Sequence, residues 1–175
     1  MSKVIIIYST TDGHTRKICS HLLKIIAEGN NNVIMIPVED VDNVNLNTFN
    51  KIIMGASIRY GKHSSLVYNF INKNRQILDQ KPSAFFSVNL VARKPDKNQP
   101  ETNPYVKKFL AEILWKPQEL AIFAGKIDYQ KYSILDRYII RMIMWITKGP
   151  TDLKTNLEYT DWDQVKVFGE LICDM

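Results

Sequence analysis

Val4-Ile5-Ile6-Ile7-Tyr8-Ser9-Thr10-Thr11-Asp12-Gly13-His14-Thr15 is the stretch on which the reading of this chain turns. Val4 to Tyr8 is a continuous β-branched and aromatic run, the character of a parallel strand covered on both faces. Beyond Thr15, the residues Ile18, Leu22, Leu23, Ile25 and Ile26 recur at helical spacing. A strand therefore hands over to a helix through Ser9, Thr10, Thr11, Asp12, Gly13 and His14. This loop offers hydroxyls, backbone N–H groups and one glycine at the positive end of a helix dipole, a setting that suits a bound phosphate. Its spacing is neither G-x-G-x-x-G nor a G-K-S/T loop, which argues against a dinucleotide fingerprint and a Walker loop. An ordinary strand-to-helix turn remains the competing reading.

The same rhythm continues outward. Val33–Val38 reads as a second strand and Lys51–Gly55 as a third that ends at its glycine, with helical spacing over Ser65–Leu78. Ser83–Leu90 is a fourth strand, Tyr105–Trp115 a helix, and Leu120–Ala124 a fifth strand closed by Gly125. Thr160-Asp161-Trp162-Asp163 predicts a capping box that opens a last helix through Val165, Phe168, Leu171 and Ile172. Strands alternating with helices in this way predict an α/β fold, an open parallel sheet with helices on both faces. Ligands bind such sheets at the carboxyl ends of the strands. At 175 residues one domain is the expectation.

Three strand ends carry unusual loops. The first is the loop Ser9–Thr15. The second is Gly55 followed by Ala56, Ser57, Ile58, Arg59, Tyr60 and Gly61, and the third is Ser87, Val88, Asn89, Leu90, Val91, Ala92 and Arg93. Together they outline one site for a flat, phosphate-tailed heteroaromatic cofactor, anchored at one end and stacked or hydrogen-bonded at the other. Flavin mononucleotide (FMN) meets that description better than a dinucleotide, because only one phosphate loop is visible.

The formal net charge is +5, with basic residues gathered between Arg93 and Lys148. An anionic membrane surface or an anionic small substrate could use that bias. No zinc-finger, helix-turn-helix or RNP-type pattern accompanies it, so nucleic acid is not expected as a partner. Cys19 and Cys173 stand near opposite ends with no C-x-x-C spacing, so both read as buried structural thiols and neither a disulfide framework nor a metal site is expected. No signal peptide is read at the N-terminus.

One segment lies outside the alternating scheme. Ser133–Lys148 opens with a Ser133-x-x-Asp136 cap and is apolar nearly all round, with Arg137, Arg141 and Lys148 sharing a face and Trp145 near its end. It is too short to span a bilayer, which needs roughly 20 apolar residues. Three roles stay open for it: burial against the sheet, an interfacial anchor, or a wall for a large apolar substrate, with Arg137, Arg141 and Trp145 as the residues toward substrate or membrane.

The three loops, in this order, resemble the flavodoxin-like family. Asp12 stands where that family's phosphate loop usually has threonine, and a carboxylate there must turn away to cap the helix or pair with a cation. The S-T-x-D-G-x-T form, together with G-A-S-I-R-Y-G at 55–61, S-V-N-L-V-A-R-K-P at 87–95 and Y-T-D-W at 159–162, is similar to the flavodoxin-like, quinone-dependent protoporphyrinogen oxidases of bacterial haem synthesis. The likeness covers essentially the whole chain. It implies a three-layer sandwich with sheet order 2-1-3-4-5, a single domain over 1–175 and an insertion at about 126–150 carrying the extra helix. It also implies a six-electron, FMN-dependent oxidation of protoporphyrinogen IX to protoporphyrin IX. The electrons would pass to a membrane quinone, ubiquinone or menaquinone, at the cytoplasmic face of the inner membrane, with the protein attached peripherally. A homo-oligomer is compatible with it. No histidine among His14, His21 and His63 declares itself as a catalytic acid or base. Two other functions compete: another FMN-dependent NAD(P)H:quinone reductase, and a flavodoxin-type electron carrier, whose usual acidity this basic chain lacks.

Overall fold

The computed structural model describes residues 1–175. Its centre is a parallel sheet of five strands in the order β2-β1-β3-β4-β5. The strands are β1 (Lys3–Ser9), β2 (Asn32–Pro37), β3 (Lys51–Ser57), β4 (Ser83–Asn89) and β5 (Glu119–Ala124). Helices α1 (His14–Glu28) and α5 (Trp162–Asp174) cover one face, and α2 (Ser65–Gln80) and α3 (Pro104–Glu112) the other.

The apolar run of β1 explains this sandwich. Val4, Ile6 and Tyr8 pack with Ile18, Leu22 and Ile26 of α1 and Phe168 of α5, whereas Ile5 and Ile7 pack with Val67, Phe70 and Ile71 of α2. A strand's side chains alternate, so a run that is apolar at every position must be covered twice. Cys19 is buried in the first of these layers and Cys173 is half-buried, so only the former matches the expected core thiol fully. The ammonium of buried Lys51 donates to the carbonyls of Ile172 (2.8 Å) and Cys173 (2.7 Å), which closes the end of α5.

Three local expectations are corrected, and one pair of strands is new. β3 does not stop at Gly55 but runs to Ser57, because Gly55 is an internal strand position whose missing Cβ leaves room for the Phe86 ring. α3 ends at Glu112 rather than Trp115, since Ile113 turns extended and the Trp115 indole drops into the core to donate to Ser83 Oγ at 3.2 Å. The last helix is capped by Asp161, whose carboxylate accepts from the backbone N–H groups of Asp163 and Gln164, while Thr160 is drawn away to the site described below. The segment after β5 also holds an antiparallel pair that alternation did not reveal, β6 (Lys126–Asp128) with β7 (Asn156–Glu158). Both strands are three residues long, too short for a period to show.

Between β6 and β7 lies α4 (Ile134–Ile146), capped by Ser133. Ile140 and Met144 pack on Ile127, Tyr129 and Tyr132, a small apolar cluster separate from the sheet's two layers. The opposite face exposes Ile134, Leu135, Tyr138, Met142, Trp145 and Ile146. No helix of the chain is long and apolar enough to cross a membrane.

Candidate functional site

Strand β1 has β2 on one side and β3 on the other, so its carboxyl end is the point where the winding of the sheet reverses. A cleft of about 370 Å³ opens there. Thr10, Thr11, Asp12, Gly13, His14 and Thr15 form one wall. Ser57, Ile58, Arg59, Tyr60 and Gly61 form a second, and Val88, Asn89, Leu90, Val91 and Arg93 a third. The three loops singled out in the sequence therefore meet in one place.

At the first loop, Gly13 adopts φ +85° and a Cβ built on it would meet nothing within 4 Å, so its backbone faces open space. Its N–H donates to Thr10 Oγ1 at 3.0 Å. α1 has no side-chain cap, and the buried Thr15 hydroxyl has no hydrogen-bond partner. Free first-turn N–H groups at the positive end of a fifteen-residue helix, with an orphaned hydroxyl beside them, are a donor set that fits a phosphate.

Asp12 turns away from this cradle. Its carboxylate takes Arg59 Nη2 at 2.5 Å, and the guanidinium lies 5.5 Å from the centre of the Tyr132 ring. Partial burial pushes the Asp12 carboxyl up, with the attraction of Arg59 opposing it. Next to Arg59, Tyr60 sits at φ +53°, a left-handed backbone unusual for a non-glycine residue, and its hydroxyl donates to Asp136 of α4. Loop two is thus tied to loop one by Arg59 and to α4 by Tyr60.

His14 and Thr160 fix a tautomer. Thr160 Oγ1 donates to the Ala124 carbonyl at 2.7 Å, so toward His14 Nε2, 2.6 Å away, it must accept. His14 therefore carries a proton on Nε2, and burial holds its basicity below the ordinary histidine range. Beside it, Lys17 pairs with Glu158 at 2.7 Å and Trp162 Nε1 donates to the other oxygen of that carboxylate. His21 packs edge-on against Trp162 at 4.2 Å, outside the cleft.

Four expected residues lie beneath the cleft rather than in its wall. Ser9 ends β1 as a buried strand residue, Ala56 packs toward α2, and Ala92 packs on Val106, Ile122 and Ala124. Ser87 is fully buried, facing His63 Nε2 at 3.0 Å and accepting from Asn89 Nδ2 at 3.3 Å. His63 is packed between Phe85 and Phe109, its Nδ1 without a partner, and burial drives its pKa down to about 3.

The segment between β6 and β7 supplies a further wall, one of the three roles read for it in the sequence. Ile140, Ile143 and Met144 of α4 and Thr147 just after it line the cleft, as do Lys126, Asp128, Lys131 and Tyr132 before it. The apolar character of Ser133–Lys148 was the trace of this wall in the sequence, although which face turned inward was not readable there. Tyr105, Gly125, Lys17 and Glu158 complete the lining and had no distinguishing pattern.

Arg137, Arg141 and Trp145 do not face the cleft. Arg137 Nε donates to the Tyr129 carbonyl at 3.0 Å, bracing the turn before α4. Arg141 and Trp145 lie on the outer side with Tyr138 and Met142, around a shallow surface groove. Arg93 is a brace as well, donating to Leu90 O (2.9 Å) and to the Thr147 carbonyl and hydroxyl (both 3.0 Å).

Residues 5–154 match the model of the flavodoxin domain. Among solved structures, a flavodoxin from Bacillus cereus superimposes with a TM-score of 0.58 at 17% identity, covering 99% of this chain and 98% of that one. A flavodoxin from the domain Archaea gives 0.51 at 16%, covering 98% and 96%. The Escherichia coli K12 protein named protoporphyrinogen IX dehydrogenase (quinone) is 39% identical over 173 residues, 99% of this chain and 96% of the relative. A Leishmania major protein of the same name is 41% identical over 167 residues, 95% of this chain and 72% of the relative. A flavodoxin domain indicates a flavin cofactor. With the sheet order, the cleft at its switch point and these full-length likenesses together, the chain belongs to the flavodoxin-domain family, alongside the relatives named protoporphyrinogen IX dehydrogenase (quinone).

Proposed function

We propose that the protein is an FMN-dependent oxidase of protoporphyrinogen IX that passes its electrons to a membrane quinone, ubiquinone or menaquinone. The observation that carries this reading is a single cleft in which a phosphate cradle on loop one faces an apolar wall from an inserted helix, in a chain 39% identical over 99% of its length to a relative of that name. FMN, when bound, supplies the two-electron acceptor that stands between porphyrinogen and quinone.

This chain's residues would do the holding. The N–H groups of loop one and the Thr15 hydroxyl would bind the phosphate, and the backbones of Ser57–Gly61 and Val88–Val91 would border the ring. Ile140, Ile143 and Met144 give a large apolar macrocycle a surface to lie on and keep water from it. Ser9, Ala56, Ser87 and Ala92 would support these loops from below.

The outward face of α4 serves the quinone. Ile134, Leu135, Tyr138, Met142, Trp145 and Ile146, bordered by Arg141 and Lys148, would rest in the interface of an anionic bilayer while the rest of the chain stays outside. Residues 1–175 are then one domain with the insertion as its membrane-side attachment.

The test is anaerobic mixing of flavin-loaded protein with protoporphyrinogen IX and a soluble quinone analogue. Porphyrin fluorescence should grow above the protein-free rate, and its absence would overturn the oxidase. Rapid bleaching of the flavin by NADH or NADPH would favour a nicotinamide-dependent reductase instead. Replacing both Trp145 and Ile134 by lysine should abolish flotation with anionic liposomes and leave turnover of the soluble quinone unchanged; undiminished flotation would refute the membrane role.

A further inference from the structure

The cleft is lined by the cations Lys17, Arg59, Arg93, Lys126 and Lys131, and the structure separates them by what each is already doing. Lys17 is paired with Glu158 at 2.7 Å, and Lys126 lies 3.7 Å from Asp128. Arg93 spends its guanidinium on three oxygens of Leu90 and Thr147. Arg59 and Lys131 differ. Arg59 makes one side-chain hydrogen bond, to Asp12, which leaves most of its planar fork unspent, and Lys131 is exposed and forms no ion pair.

These two cations meet at the Asp12 carboxylate, which Arg59 binds and whose pKa Lys131 helps hold down. Arg59 lies over Tyr132, and Lys131 is its chain neighbour. The Tyr132 hydroxyl accepts from Asp128 N–H at 3.3 Å and reaches the Lys126 carbonyl at 3.5 Å, so the ring is anchored at its far end. Asp12 holds Arg59, and Tyr132 belongs to the same apolar cluster as Ile140 and Met144 of the apolar wall. The cleft is therefore apolar along α4, while at the Tyr132 rim Arg59 and Lys131 stand beside the carboxylates of Asp12 and Asp128, the second of them matched by Lys126.

We propose that Arg59 and Lys131 form a seat for the two carboxylates of the substrate. The proposal rests on the porphyrinogen reading and adds to it the direction in which the substrate enters. Both propionates of protoporphyrinogen IX project from one edge of the macrocycle, so two cations on one rim orient the whole ring. Arg137, Arg141 and Lys94 cannot take this part, since none of them lines the cleft.

Binding is read separately from turnover, with the flavin-loaded protein titrated by protoporphyrin IX and by its dimethyl ester in detergent solution. Arg59→Met and Lys131→Met should each weaken the diacid about ten-fold and the diester less than two-fold, roughly 1.4 kcal/mol of carboxylate-specific binding apiece. Arg59→Lys, which keeps the charge but not the fork, should retain only part of the affinity, and Lys108→Met on α3 should change nothing. Since Lys131 is exposed, its variant keeps the test alive if Arg59→Met fails to fold. In turnover the two variants should raise KM for protoporphyrinogen IX with kcat little changed. Equal losses for diacid and diester, or no loss for the diacid, overturn the seat. A wild-type protein that oxidises diacid and diester porphyrinogens with the same KM overturns the seat alone. One that oxidises neither and binds neither porphyrin overturns the oxidase reading as well.

Discussion

Replacing Gly55 by alanine tests whether the small residues of the second loop motif serve the ligand or the core. Gly55 sits within β3, in register with Tyr8 on β1 and Phe86 on β4. A Cβ there would lie 2.1 Å from Phe86 Cζ and 2.5 and 2.7 Å from its two Cε atoms, far inside contact distance. The ring cannot step aside easily, because Phe86 is fully buried with Phe123 at 5.5 Å and Phe168 at 6.0 Å between ring centres. Overpacking of a well-packed core costs about 1–3 kcal/mol, and a clash with three atoms of a hemmed-in ring belongs at the top of that range. For a chain of this size each kcal/mol moves Tm by roughly 2–4 °C, so Gly55→Ala should lower it by roughly 6–12 °C. Adding Phe86→Leu should relieve the clash, making the double variant less destabilised than the sum of the single ones by at least about 1 kcal/mol in a urea-denaturation cycle. Gly55 does not line the cleft, so flavin affinity of the folded variant should stay within about two-fold of the wild type. A Tm within about 2 °C of wild type, or an additive cycle, would refute the packing account. A loss of flavin affinity at full stability would return Gly55 to the ligand.

Three further outcomes are expected. Asp12→Thr removes a carboxylate from the phosphate loop itself, so FMN should bind about 3–10-fold tighter at low salt while riboflavin is unaffected, an effect that fades as salt is raised; an unchanged FMN-to-riboflavin ratio in titrations of the apoprotein would refute it. His63 accepts a proton at an ordinary 6.5 when unfolded but only at about 3 when buried, so the unfolded state holds more protons between those values and stability is lost as pH falls through the window. The slope should reach at most about 1.4 kcal/mol per pH unit, and His63→Leu should flatten it; equal slopes for the two proteins in chemical denaturation would refute the assignment. Lys51→Met removes both ammonium bonds to the last turn of α5, and should cost about 2 kcal/mol and speed amide exchange near Ile172 and Cys173, with unchanged exchange there counting against the cap.

The sheet was legible because its residues obey periods. Val4–Tyr8 is apolar at every position and the helices repeat at 3.6 residues, so strand order and layers followed once the family resemblance supplied the winding. Where the reading failed, a tertiary contact overrode a local pattern. Thr160 had the chemistry of an N-cap, but the Ala124 carbonyl and His14 claimed its hydroxyl and the cap passed to Asp161. Gly55 looked like a strand end because a glycine in a loop motif and a glycine under an aromatic ring look alike in sequence. In the cleft, the loops were readable as contiguous motifs, whereas Lys131, Tyr132 and Ile143 come from a segment whose inward face only packing decides. Arg137 and Arg141 were read as a shared basic face, yet one reaches back to a carbonyl and the other faces outward.

The hairpin of β6 and β7 closes the neck of the segment that carries α4. Asp128 and Asn156 stand opposite each other in register, so the chain leaves the sheet layers and returns to them at adjacent points. A tight Asn-Gly turn joining them would excise 129–155 without stretching either strand, and the apolar cluster around Tyr129 and Met144 would leave with it, apart from Ile127. The shortened chain would keep the phosphate loop, both sheet layers and α5 while losing one side of the cleft. Loading it with flavin would show how far a minimal electron-transfer scaffold is from an enzyme for macrocycles, with one helix-bearing arm as the only difference.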